Sequence, residues 1–249
     1  ANNTSICYNA LYSNTTASYN TAVGDQALED NSTGHSNAAF GYQALKDNTT
    51  ANNNTAVGSY SMATNSTGHS CVAVGRNALL SNTTGEGNAA LGFQALNSNT
   101  TGDYNTAVGT NALVTNTTAS WNSAFGYAAL YSNTTGTYNT ACGHSALYTN
   151  STGGNNTAVG REALKLNTTG ENNTAIGYQA SGDNTTGGQN TSVGYKALYI
   201  NTTGGYNSAV GFESLLSNST GGENIACGYK ALYSNTTADK NVALGTSAM

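Results

Sequence analysis

The sequence predicts an all-β chain, a parallel β-solenoid (β-roll or β-helix) built from 17-residue rungs. Three observations carry that prediction. First, Leu28 becomes Leu45 and Gly24 becomes Gly41, and the same 17-residue step runs through the whole chain. Such self-similarity marks a solenoid, in which each unit buries its apolar positions only against its neighbours. Second, the recurring apolar residues lie five apart, which does not suit a helical period, and the Asn, Thr and Gly around them are poor helix formers. Third, apolar residues return at fixed places, which a linker rich in Asn, Ser, Thr and Gly does not require. With Asn20 as position 1, there are 14 full copies starting at residue 3, and a partial fifteenth from Asn241 to Met249. The period never breaks, so residues 1–249 read as one domain.

Within a rung, positions 2–4 read as a strand. Position 4 is always apolar and includes Val23, Phe40, Val57, Val108 and Phe125. Position 5 is Gly in every copy but the first, where Cys7 stands, and marks a bend needing φ > 0 or close backbone approach. Positions 7–10 read as a second strand. Position 9 is Leu, as in Leu28, Leu45, Leu96, Leu130 and Leu164, except at Met62, Ser181 and Met249. Positions 4 and 9 are read as two stacked interior ladders, each buried side chain contributing about 1.5–3 kcal/mol. Neighbouring strand residues face opposite ways. The small residues of positions 3 and 8, almost all Ala, then face outward, to be covered by another wall or chain or to fit a bend beside Gly.

Position 12 is Asn in every full copy: Asn14, Asn31, Asn48, Asn65, Asn82, Asn99, Asn116, Asn133, Asn150, Asn167, Asn184, Asn201, Asn218 and Asn235. It opens an Asn-Ser/Thr-Thr-Gly/Ala corner. Asn suits such a turn, and stacked amides bond from rung to rung as a ladder. Each corner is also a formal N-glycosylation acceptor. Fifteen of the 16 Tyr fall at positions 6, 10 and 17. Tyr127, Tyr131, Tyr138, Tyr195 and Tyr199, with Trp121 in the same set of columns, are the candidate surface contacts for protein or glycan, against the simpler reading that Tyr is a good strand residue.

Several function classes find no support. Net charge is -5 and the 7 basic residues are scattered, so no basic stripe serves nucleic acid. No apolar run approaches the roughly 20 residues needed to span a bilayer, and no signal peptide opens the chain. Cys7, Cys71, Cys142 and Cys227 sit too many rungs apart for disulfides and read as small buried residues. His35, His69 and His144 show no metal-ligand spacing, carboxylates such as Glu171 and Asp183 are isolated, and no catalytic or cofactor motif occurs. We expect no enzyme activity and no cofactor.

At Ala-Val-Gly-x-x-Ala-Leu the chain resembles the short repeats of trimeric autotransporter adhesin heads. Asn37 to Leu45 and Asn173 to Ala180 approach the string Asn-Thr-Ala-Val-Gly-Tyr-Gln-Ala-Leu and resemble repeats of phage tail-fibre and bacterial surface proteins. The resemblance implies a parallel β-roll at a cell or virion surface. The leading expectation is a structural subunit of an extracellular or surface filament, stacked end to end with copies of itself through Asn3 and Ile6 at one end and Leu244 and Met249 at the other. A trimeric shaft binding surface glycans is the second reading, and an ice-binding Thr array the third. Fifteen rungs at a strand spacing of about 4.8 Å would span about 70 Å.

Overall fold

The computed structural model describes residues 2–249. Among the described residues there are fifteen three-residue strands and no helix. The chain divides into two compact units, residues 1–122 and 123–249. The first carries β1 (Thr4–Ile6) to β7 (Thr106–Val108), and the second β8 (Ser123–Phe125) to β15 (Val242–Leu244). In each unit consecutive strands pair in parallel at a register of one full repeat, for example Thr21 with Ala38 and Thr157 with Thr174. The expected solenoid is therefore present, with its strand at positions 2–4 of the rung.

The second expected strand is absent. Positions 6–11 form a run of turns, because the backbone is left-handed at positions 7 and 9: φ is 57° at Gln26 and 52° at Leu28. A left-handed residue with a side chain costs about 1–2 kcal/mol. Rung-to-rung hydrogen bonds offset it. Gln26 N–H donates back to the Tyr8 carbonyl at 2.9 Å, and Leu28 N–H donates forward to the Ala44 carbonyl at 3.0 Å. The Gly column behaves as expected. Gly92 has φ 137°, and a Cβ there would lie 2.6 Å from the Gly109 carbonyl oxygen.

The strand faces the opposite way from expectation. Position 3 is inside: Ala22, Ala39 and Ala56 are fully buried. Position 4 is outside: Phe40 and Phe125 are 40% and 41% exposed, Val57 is exposed, and Val23 and Val108 are only half-buried. The Leu column is inside as expected, with Leu28, Leu45, Leu96, Leu130 and Leu164 at 0% exposure. The reason is space. Each rung is a short loop of chain, and Leu of position 9 with Asn of positions 1 and 12 already occupies its interior, so the facing wall accepts only Ala or Ser.

Two buried Asn columns complete the core. Asn48 Nδ2 donates to Asn31 Oδ1 one rung below at 2.8 Å and to the Ala51 carbonyl at 3.1 Å. In the position-1 column, Asn37 N–H donates to Asn20 Oδ1 at 2.9 Å. The two columns meet on one carbonyl: Gly34 oxygen accepts from Asn20 Nδ2 at 2.8 Å and Asn31 Nδ2 at 2.9 Å. Polar groups inside a protein cost little only when so paired. Among the described residues, one buried side-chain atom, Asn111 Oδ1, has no partner.

Departures from the repeat compensate locally. Ser181 replaces Leu at position 9, and its hydroxyl lies 2.9 Å from that of Ser192, which replaces Ala at position 3 of the next rung. Cys71 replaces Asn at position 1. It is fully buried, its thiol lies 3.4 Å from the Gly85 carbonyl oxygen, and burial pushes its pKa up to about 11. The other cysteines correct the expectation of burial: Cys7, Cys142 and Cys227 are exposed, because positions 4 and 5 lie on the outer side. All four thiols are free.

Candidate functional surface

With the interior filled by Ala, Leu and Asn, any recognition chemistry must come from the outward columns. The corner settles which of its groups are available. Asn31 through Asn218 in position 12 are at most 1% exposed, and their amide nitrogens are committed to the ladder and the position-15 carbonyl. Asn14 and Asn235, in the end rungs, are half-buried. In the folded rung a sugar on Nδ2 of these buried amides has no room, whereas Asn14 and Asn235 lie closer to the surface. Position 13 is committed as well. Thr49 Oγ1 donates to the Ser66 carbonyl at 3.1 Å, and Thr83 Oγ1 to the Thr100 carbonyl at 3.0 Å. Position 14 differs. It is Thr in all 14 corners, from Thr16 to Thr237, and every one is exposed.

The outer side of the strand carries the apolar column of position 4. Next to it, position 6 forms aromatic stacks in the second unit. Tyr178, Tyr195, Phe212 and Tyr229 follow one another with ring centroids 5.4, 4.9 and 5.4 Å apart and planes within 13°. The Arg161 guanidinium lies 5.7 Å from the Tyr178 ring centre, and Tyr127 stacks on His144 at 5.1 Å. In position 10, Tyr131 stacks on Tyr148 at 5.0 Å. In position 17 of the first unit, Trp121 stacks on Tyr104 at 4.4 Å. Tyr138 is also exposed. The candidate contact residues thus lie outside, as expected, but mutual stacking covers ring faces and turns edges outward. That arrangement offers few flat aromatic platforms to a sugar.

One notch interrupts the surface. Gly182 has no side chain where its column neighbours are Lys165 and Tyr199, leaving a cavity of about 80 Å³. Gln179 donates to Glu162 Oε2 at 2.7 Å and, with Lys165 and Arg161, holds that carboxyl below its usual range. Burial raises Asp183 above its usual range, against a hydrogen bond from Tyr199. Among the described residues no cluster of His, Cys, Asp and Glu has the geometry to hold a metal, and no helix is long and apolar enough to cross a membrane.

Asn3 is half-buried, while Ile6, Leu244 and Met249 are exposed. Sequence reasoning missed the inward Ala columns, and it named a Thr array without separating the exposed position 14 from the committed position 13. The signals were present: positions 3 and 8 never take a large residue, and position 14 never takes Ser, although position 13 does at Ser32, Ser66, Ser151 and Ser219. No protein-family model matches this chain, and comparison with characterised proteins gives no match.

Proposed function

We propose that the chain is a structural shaft, a subunit of an extracellular or surface filament that grows by stacking rungs end to end. One observation supports this most directly: the rung-to-rung bonding is polar along the coil axis and repeats without change. Position-2 N–H groups reach forward, as Thr21 to the Asn37 carbonyl at 2.9 Å and Ile225 to the Asn241 carbonyl at 2.8 Å. Position-5 N–H groups reach back, as Gly24 to the Ile6 carbonyl at 3.0 Å. A leading rung therefore offers what a trailing rung needs. More of the same repeat, from this chain or from a second copy, satisfies both sets, and open strand edges favour such pairing. No catalytic role and no cofactor enter this reading. Light scattering against concentration, with negative-stain imaging, tests it: filaments with an axial repeat are expected, and discrete particles at high concentration would overturn it.

A second reading, a trimeric shaft binding surface glycans, is favoured by the exposed apolar column of position 4. Val, Phe, Leu and Ile, with Cys on two rungs, form a strip that a second coil, having the same pitch, would match rung for rung. Cys142 and Cys227 lie in that strip and are exposed. Short bismaleimide cross-linkers should join copies there if coils associate side by side; only end-joined products would count against it. Ice binding, the third reading, draws on the exposed Thr column and is tested by thermal hysteresis.

A further inference from the structure

None of the tyrosines lies in the buried core, yet the fold holds two pairs of them face to face on successive rungs. Tyr131 and Tyr148 occupy position 10 of adjacent rungs, with ring centroids 5.0 Å apart and planes 13° from parallel. Tyr178 and Tyr195 occupy position 6 of adjacent rungs, at 5.4 Å and 12°. Tyr178 and Tyr195 are exposed, and Tyr131 and Tyr148 are half-buried.

We propose that these two pairs are sites of oxidative cross-linking, each closing into a dityrosine that joins consecutive rungs covalently. The co-reactant is a peroxide used by a peroxidase. Each phenol gives up one electron and one proton to become a phenoxyl radical. The two radicals join through a bond between ring carbons ortho to the oxygens, and loss of the two ring hydrogens to the oxygens restores both phenols. The pair has then lost two hydrogen atoms, and one hydrogen peroxide has become two waters. Coupling normally waits on the encounter of two short-lived radicals. Here the rung spacing holds the second phenol beside the first, which replaces an encounter by a local adjustment. The outward position of both columns gives the oxidant access and the released protons a path to solvent. Such a staple would strengthen a shaft, but the chemistry does not depend on the filament reading, because both partners belong to one chain.

The molecule contains its own control. Phe212 stands between Tyr195 and Tyr229, at 4.9 and 5.4 Å, in the same stack. It has no phenol oxygen, so Tyr229 has no coupling partner one rung below it. Tyr42 and Tyr60, at 87°, point an edge at a face instead of lying parallel, and should react more slowly.

The test treats the full chain, dilute and with Cys7, Cys142 and Cys227 alkylated, with peroxidase and hydrogen peroxide, and maps linked peptides by mass. Expected are Tyr131–Tyr148 and Tyr178–Tyr195 links, each two hydrogens lighter than its parts. Their yield should exceed that of the urea-unfolded chain by about tenfold or more. Tyr148→Phe and Tyr195→Phe should each abolish one link and leave the other, and Phe212→Tyr should add new links in its stack. Equal yields from folded and unfolded chain, links only between chains, or a Tyr195–Tyr229 link in the unaltered protein would overturn the proposal.

Discussion

Positions 3 and 4 of the rung are adjacent in the chain and opposite in every other respect. Position 3 is buried beyond the first rung and almost always Ala, while position 4 is outward and ranges over Val, Phe, Leu, Ile and Cys. Both columns are apolar, so hydropathy alone does not tell them apart. What separates them is tolerance of size. A column that accepts Phe, Ile and Cys has open space beside it, and one restricted to Ala and Ser faces a wall. In a coil this narrow, small invariant residues mark the interior and large variable ones the exterior, the reverse of the usual expectation for apolar side chains.

Substitutions on the two sides should separate this contrast sharply. The largest effect is expected at the buried amide column. Asn82→Ala removes donors to Asn65 Oδ1 and the Gly85 carbonyl and the acceptor for Asn99. With unpaired buried partners left behind, about 4 kcal/mol should be lost. Asn97→Ala, in the outer column of position 10, removes only the bond from its Nδ2 to the Asn77 carbonyl at 3.2 Å and should cost about 1 kcal/mol or less by the same denaturant titration. Next come two leucines of one rung. Leu96 is fully buried and Leu91 is 49% exposed. Leu96→Ala should cost about 3 kcal/mol and Leu91→Ala less than about 1 kcal/mol. Equal losses would place position 4 in the core after all.

A smaller effect is expected at the break in the position-1 column. The folded-state pKa of Cys71 is raised to about 11 from an ordinary value of 9.0. The proton is therefore held more tightly in the folded chain, and stability present below pH 9 is lost as pH rises toward 11. The stability at stake is on the order of 2–3 kcal/mol. Unfolding midpoints measured from pH 8 to 11 should show this slope. Cys71→Asn should abolish it and add about 1 kcal/mol by restoring the ladder's bonds. The smallest effect belongs to the outermost column. Thr84→Ser and Thr84→Val should each change stability by less than about 0.5 kcal/mol, since the fold makes no use of that side chain. A larger loss in thermal unfolding would show a structural role for position 14.

The repeat period, the parallel pairing, the Leu ladder, the Gly bend and the stacked amides were all legible in the sequence. Each is stated by one residue type repeating where a single physical demand recurs. The missing strand was not legible, because Gln26 and Leu28 are not residues that announce left-handed backbone, and their geometry is imposed by bonds to neighbouring rungs. The inward turn of the corner Asn was hidden for a similar reason. Asn-Thr-Thr-Gly reads as an exposed turn when taken alone, and only the shared carbonyl of Gly34 draws Asn20 and Asn31 into the core together. The outer candidates were legible as columns, yet their face-to-face stacking depends on rotamers that no spacing encodes.

Because the rungs of each unit, the Cys71 rung apart, meet their neighbours through the same donors and acceptors, the register contains no mark of how many rungs there are. Deleting one whole repeat would bring Asn onto Asn and Leu onto Leu again, and duplicating it would do the same. Gene copies misaligned by one repeat during recombination would therefore still encode a closed core. A shift of a few residues would instead bring bulky outer side chains over the Ala wall. The fold thus tolerates a change of length by whole rungs, while the spacing within a rung is held fixed by the fold itself.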